Sequence, residues 1–242
     1  MKIIISGGNG KLAQKIIEAA KNHEVIAPDK EQMNVYDLTQ VEQFISNNKP
    51  DVFIHAAAYT KPMSKHEKHP DESIRANVIG TSNVTLACMK HNVKLVYIST
   101  DYVYPGTDGN YSETDSLSPY MERLDGIAKY GWSKLGGECS VRIYDNSLIL
   151  RVCICDYPFP HNQALTDVKK SMMYNFEAAE IIVKLLDQKG VINIGGKSQT
   201  VYDFASKDNP NIKKVRKQDI KDVYIAPDTS MDTSKMRRII ND

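Results

Sequence analysis

Apolar and polar positions alternate between two patterns along the first part of the chain. Residues 2–6 form a short continuous apolar run closed by glycines, the signature of a strand buried on both faces. Residues 10–21 then carry Leu12, Ala13, Ile16, Ile17 and Ala20 at helical spacing. The alternation continues with a strand at 24–27 stopped by Pro28 and a helix at 39–48, where Thr39 caps and Glu42 completes a capping box. A strand follows at 51–55, then a long helix over 71–92 with Ile74, Val78, Thr81, Leu86 and Met89 facing inward. A strand at 94–99, a helix at 127–144 and a strand at 147–152 complete the series. Uniformly apolar strands separated by helices predict an α/β fold, a doubly wound parallel sheet covered on both faces. Ligands bind such sheets at the carboxyl ends of the strands, so chemistry is expected just after Ser6, Ala27, His55, Ser99 and Val152.

The second half is less regular. Residues 156–167 read as loop, 176–188 as helix, 191–194 as a strand before Gly195 and Gly196, and 232–239 as a closing helix. The segment 207–221 gathers Lys207, Lys213, Lys214, Arg216, Lys217 and Lys221 against Asp208 and Asp219. A solvated surface is the ordinary reading of such a run. A basic rim that attracts a substrate diphosphate is the sharper one.

With 242 residues the chain is long enough for one domain with a small appendage. Lys and Arg number 31 against 30 Asp and Glu, a net charge of +1, which speaks against a nucleic-acid partner. No apolar run approaches the roughly 20 residues of a membrane span, and the N-terminus is expected to open the fold at once rather than act as a secretory signal. Cys88, Cys139, Cys153 and Cys155 fit no zinc spacing, so a metal site is not expected. Cys153 and Cys155 alternate in an apolar run and should pack as small hydrophobes. Free thiols point to a reducing, cytoplasmic setting.

After the first strand the chain reads Ser6-Gly7-Gly8-Asn9-Gly10-Lys11-Leu12-Ala13. Gly7, Gly10 and Ala13 lie three apart, between a strand and a helix, as a dinucleotide-binding turn requires. Glycines let the backbone approach a pyrophosphate, and the following helix aims its free N–H groups at it. Further on, an acidic residue would hold a ribose hydroxyl and a basic one a 2′-phosphate. Asp29 and Lys30 stand side by side there. Lys30 tilts the choice toward NADPH, with NADH open. Asp37 has two readings, adenine contact or helix cap.

Tyr130 and Lys134 are four apart and share one helix face. An ammonium beside a phenol favours the phenolate and makes it a usable acid or base near neutrality. The fourth strand ends Ser99-Thr100-Asp101, presenting hydroxyls where this fold does its chemistry. Asn77 sits inside the long helix, which asks for a partner for its amide. His55 is expected to pack near the cofactor, and Trp132 in the core or at an interface.

Together the stretches GGNGKLA, PDVFIHAAAYTKP, ANVIGTSNV, VYISTDYVYPGTDGNYSETDSLSP, YGWSKLGGE and APDTSMDTSKMR resemble the extended short-chain dehydrogenase/reductases. Among these the chain is most similar to the dTDP-4-dehydrorhamnose reductase group. The resemblance implies a Rossmann domain at 1–152 and a small C-terminal substrate-binding lobe at 153–242. It implies NAD(P)H-dependent reduction of the C4 keto group of a dTDP- or UDP-linked 4-keto-6-deoxy sugar. Tyr130 would protonate the C4 oxygen, Lys134 would bind the nicotinamide ribose and tune Tyr130, Thr100 would polarise the carbonyl, and Asn77 would support a proton relay through water. Gly7, Asn9, Gly10, Lys11 and Leu12 would cradle the cofactor, with Ala56, Ala57 and Ala58 lining it and Tyr59 and Thr60 nearby. Asp101 and Tyr102 follow Thr100 where the related dehydratases are expected to carry Asp-Glu, which argues against dehydration. A nucleotide-sugar epimerase and a non-catalytic regulatory subunit are the alternatives. A homodimer through the helices at 71–92 and 127–144 is the family expectation.

The chain also departs from that group. It reads Arg151-Val152-Cys153-Ile154 where a substrate-packing Trp is expected, and residues 155–171 are compressed. Extra residues fill 120–129, and Lys61-Pro62-Met63-Ser64-Lys65 displaces expected acidic residues. The substrate pocket is thus remodelled while the cofactor and catalytic parts are kept.

Overall fold

The computed structural model describes residues 1–60, 62–120, 124–221 and 223–241. Lys61 and residues 121–123 of the 120–129 insertion lie outside the described residues. Six parallel strands make the sheet: β1 (Lys2–Ser6), β2 (Glu24–Ile26), β3 (Val52–His55), β4 (Lys94–Thr100), β5 (Ser147–Val152) and β6 (Gly190–Ile194). Their order is β6-β5-β4-β3-β1-β2. The order reverses between β1 and β3, so a crevice opens where Ser6 and His55 end their strands.

Strand alternation divides the core into two layers. Ile3, Ile5, Ile54, Val96 and Ile98 face α1 (Lys11–Ala19) and a later helix, whereas Ile4, Phe53, Leu95 and Tyr97 face α2 (Leu38–Asn48) and α3 (Gly80–His91). Further helices include α4 (Gly126–Val141), α5 (Asn175–Lys184), which packs on α1, and α6 (Ser234–Asn241). The doubly wound fold is therefore as the apolar runs predict.

Several local expectations are corrected. Asp37, not Thr39, caps α2, with its carboxylate accepting from the Gln40 N–H. The long helix at 71–92 is broken. Pro70–Ser73 is one α-turn, Ile74–Ile79 is π-helical, and α3 follows. A π-turn inserts a residue and rotates the face behind it. Ile74, Leu86 and Met89 point to solvent, and Asn77 and Val84 are buried beside Thr81, which faces inward as the spacing predicts. The 156–167 segment is not all loop, since Gln163–Leu165 pairs in parallel with Lys213–Val215 from the basic stretch. The division at 152 also falls short of the sheet, because β6 comes from the second half and pairs along its length with β5.

A buried ion pair locks these pieces. The Arg151 guanidinium on β5 lies 2.5 Å from Glu138 on α4, both without exposed side-chain surface. Ser99 and the half-exposed Arg142 also donate to Glu138, and Arg151 donates to Tyr104. Burial alone would raise the Glu138 carboxyl, but the guanidiniums and the Ser99 hydroxyl hold it below its usual value. Replacing Arg151 with Leu should cost about 3–5 kcal/mol of unfolding free energy, because it strands a buried carboxylate. Urea denaturation of the variant beside the double variant Arg151→Leu/Glu138→Leu checks this, and the double variant should recover part of the loss.

Candidate active site

The carboxyl ends of β1, β3, β4 and β5 surround one cavity of about 860 Å³. The glycine turn forms one wall. Gly7 adopts φ +73°, and a Cβ on it would meet the Ala57 backbone at 2.8 Å. A Cβ on Gly8 would meet the Ala27 carbonyl oxygen at 2.3 Å, so the turn is pressed against the strands on both sides. Gly10 caps α1 without a side-chain bond, which leaves the first N–H groups of that helix free beside the cavity. This shape fits the pyrophosphate of a dinucleotide.

Gly10, Lys11, Leu12, Ala56, Ala58, Thr100, Tyr130 and Lys134 all line the cavity, as the sequence places them. Gly7 and Ala57 stand behind this wall in mutual contact, while Asn9 is exposed on the turn. Asp29 caps its own turn, accepting from the Glu31 and Gln32 N–H groups. The Lys30 ammonium lies over the Tyr36 ring at 4.6 Å. Asp37 is occupied as the α2 cap, so the capping reading describes its contacts.

Asn77 does not line the cavity. Its amide accepts from the Tyr59 N–H and donates to the Tyr59 carbonyl and the Ser133 hydroxyl. Both amide protons are engaged, and the side chain clamps the loop after β3 to α4. The π-turn brings it there. His55 is fully buried between Ser6 and Thr81. Thr81 gives its own proton to the Asn77 carbonyl, so His55 Nε2 donates to Thr81 and Nδ1 accepts from Ser6. Burial, helped by the nearby Lys134 ammonium, lowers His55 to about 3 and keeps it neutral.

At the centre Thr100 and Tyr130 line the same part of the cavity wall, with the Thr100 hydroxyl donating to Asp101. Burial pushes the Tyr130 phenol up from its usual value, with Asp101 and Tyr102 adding to the effect and Thr100 opposing it. The expectation of a lowered Tyr130 is thus corrected for the ligand-free protein. Lys134 is the reason: its ammonium lies over the Tyr97 ring at 4.1 Å, and burial lowers it to about 7. The two side chains share a helix face, yet the cation faces the sheet.

Sequence reasoning missed several groups around this centre. His66 packs against Tyr130 with ring centroids 5.1 Å apart. Its Nε2 bonds the Thr60 carbonyl and its Nδ1 the Ser73 hydroxyl, a neutral tautomer that burial favours. Lys170 and Thr229 bond Asp101 from the far wall. Asp156 bridges Lys11 and Asn175, and the buried Asn175 Oδ1 has no partner among the described residues, an acceptor facing the cavity. Only the neighbourhood of a helix start hinted at Asn175, and no local pattern marks the others. Among the described residues no group of His, Cys, Asp and Glu could hold a metal ion, and no helix is long and apolar enough to cross a membrane.

The sequence profile described as RmlD substrate binding domain matches residues 1–159. The chain is 33% identical over 144 residues to the dTDP-4-dehydrorhamnose reductase of Mycolicibacterium smegmatis, a match covering 58% of this chain and 41% of that protein. It is 30% identical over 149 residues to methionine adenosyltransferase 2 subunit beta of Bos taurus, covering 58% and 42%. The chain thus spans less than half the length of these curated relatives. The crystal structure of the dTDP-4-dehydrorhamnose reductase of Bacillus anthracis in complex with NADP superposes with a TM-score of 0.85. It is 25% identical, and the match covers 98% of this chain and 91% of that one.

The depressed Lys134 gives a direct expectation. In the ligand-free protein its side chain should be charged below and neutral above about pH 7. A titration of lysine 13Cε resonances by NMR should show one lysine changing there, and that signal should vanish in Lys134→Met. A titration with no lysine changing below pH 9 would count against the burial argument.

Proposed function

The chain belongs to the RmlD substrate binding domain family, and we propose that it is an NAD(P)H-dependent oxidoreductase acting in deoxysugar biosynthesis. Its reaction is reduction of the C4 keto group of a nucleotide-linked 4-keto-6-deoxy sugar. The observation that carries this reading is the convergence of Thr100, Tyr130 and Lys134 with the glycine turn on one cavity.

A reduced nicotinamide, when bound, supplies the hydride for C4. The free N–H groups at the start of α1 hold its pyrophosphate. Tyr130 gives its phenolic proton to the C4 oxygen, and the raised phenol supports this by keeping that proton in place at neutral pH. Lys134 bonds the nicotinamide ribose and, once charged there, eases the phenolate that remains. Thr100 hydrogen-bonds the C4 carbonyl and polarises it. Asn77 acts at one remove, clamping the loop after Tyr59 against α4. We assign NADPH before NADH. Lys30 offers a cation for a 2′-phosphate, while the Asp29 carboxylate is taken up by its own turn.

Residues 1–152 hold the dinucleotide, and 153–242 form the substrate lobe while lending one strand to the sheet. A dTDP- or UDP-linked sugar lies between them. Free, mostly buried thiols support a cytoplasmic setting. Ile79, Leu86 and Trp132 are exposed along the neighbouring helices and support a homodimer through them. Leu86→Glu should then halve the mass seen by light scattering, and a monomeric wild type would overturn this assignment.

The similarity to a methionine adenosyltransferase subunit supports a second reading, a dinucleotide-binding regulatory subunit. One assay separates the two. Loss of reduced-nicotinamide absorbance is followed with dTDP- and UDP-linked 4-keto-6-deoxy sugars, with NADPH and NADH in parallel. Wild type should turn over, and Tyr130→Phe should lose about 1,000-fold in kcat, within the usual worth of a positioned proton donor. No turnover, with the dinucleotide still bound, would favour the regulatory reading.

A further inference from the structure

Buried polar atoms in folded proteins have partners, so one without a partner asks for a reason. Among the described residues three buried side-chain atoms have none: His91 Nε2, the Tyr174 hydroxyl and Asn175 Oδ1. Of these three residues only Asn175 lines the cavity that holds Tyr130 and Lys134. It is the first residue of α5 and is 9% exposed.

The Asn175 amide has one sensible orientation. Its nitrogen lies 2.6 Å from Asp156 Oδ1, and a carboxylate oxygen accepts from an amide N–H but repels an amide oxygen. Lys11 donates to the other carboxylate oxygen, Oδ2, at 2.5 Å. Asp156 thus takes a proton from each side and turns the Asn175 oxygen away from itself. These links join the start of α1, the segment after β5 and the start of α5. Because α5 also packs on α1, Asn175 is tied twice to the wall built by the glycine turn.

A lone acceptor needs a donor. The dinucleotide of the proposed function offers few. Its pyrophosphate has none, and its nicotinamide ribose is taken by Lys134. Its adenine belongs toward β2, which three strands separate from β5 and the Asp156 segment. The nicotinamide carboxamide remains, with two N–H donors. Sugar hydroxyls of a substrate are donors as well, but the links to Lys11 and α1 set Asn175 on the dinucleotide wall.

We infer that Asn175 holds the nicotinamide carboxamide, with Oδ1 accepting from its N–H and Asp156 acting as the positioning residue. This rests on the dinucleotide part of the proposed function and not on the reduction itself. It brings a residue from the second half of the chain into the cofactor site. A pinned carboxamide fixes the rotation of the ring about its bond to the ribose, and with it the ring face turned toward the substrate.

The test is titration calorimetry with NADP and with its 3-acetylpyridine analogue, in which a methyl group replaces the amide nitrogen and the carbonyl is kept. Wild type should bind NADP about tenfold more tightly than the analogue, the usual worth of one hydrogen bond to a buried acceptor. Asn175→Ala should bind the two alike, its loss falling on NADP. An equal weakening toward both ligands would overturn the inference, since a merely structural role would do that, and so would a wild type without preference. Asp156→Ala keeps the acceptor but frees the amide to turn, so its preference should lie between those of the other two proteins. If Asn175→Ala does not fold, an Asp156→Ala protein with the full wild-type preference would overturn the inference instead. Parallel titrations with dTDP and UDP examine the other source of a donor. Weaker binding of these by Asn175→Ala, with NADP binding unchanged, would assign Asn175 to the substrate. A wild type that does not bind NADP overturns this inference together with the dinucleotide reading. One that binds NADP without reducing a sugar removes only the reductase reading, and the comparison of the two ligands still decides the role of Asn175.

Discussion

Charges without water must be neutralised where they stand, and this molecule is organised around two such charges. Arg151 on β5 meets Glu138 on α4, and Lys170 in the second half meets Asp101 at the end of β4. Attraction at these distances grows as the surroundings dry, and so does the cost of losing a partner. Each pair therefore acts less as a source of stability than as a constraint on geometry. The first holds α4 against the sheet, and α4 carries Tyr130 and Lys134. The second holds the far wall of the cavity against the residue that follows Thr100. Between them they fix the catalytic groups from both sides.

The parallel sheet explains why so few residues suffice. Every strand delivers its carboxyl end to the same edge, so β1 ends at the glycine turn, β3 at the alanines and β4 at Thr100. The π-turn at Ile74–Ile79 brings Asn77 under the Tyr59 loop, where a regular helix would present another face. Burial then acts on the two titratable groups in opposite senses. It raises the Tyr130 phenol and lowers the Lys134 ammonium, because in each case it penalises the charged form. At rest the site holds a protonated phenol and an amine near its midpoint, a state set by desolvation before any ligand arrives.

What the sequence reveals follows from the range of the forces involved. Continuous apolar runs identify the strands, since burial on both faces leaves no polar period. The glycine turn is legible because only glycine tolerates the Gly7 backbone and the close approach of Ala57. Local rules fail where tertiary contacts choose between near-equal options. Thr39 and Asp37 both suit a cap, and the structure uses the residue whose carboxylate reaches the Gln40 N–H. Helical spacing read Leu86 and Met89 as core, but one inserted residue turned them outward. Asp101 and Lys170 are 69 residues apart, and nothing in either neighbourhood announces the other.

The same reasoning says where this chain is free to differ from its relatives. Beyond β5, and β6 apart, the lobe is built from ladders of only two or three residues, such as Ile154–Cys155 with Met173–Tyr174 and Gln199–Thr200 with Lys169–Lys170. Backbone pairing that short contributes little cooperative stiffness, so side chains must hold the lobe in place. Lys170, Thr229 and the Tyr104–Asn193 hydrogen bond do so from within. A lobe held by side chains can lose or gain residues between its contact points without disturbing the sheet. That is consistent with a cofactor wall close to the expected pattern and a substrate wall that departs from it. Change in the lobe is limited chiefly where Lys170 and Thr229 touch Asp101, the buried residue that follows Thr100.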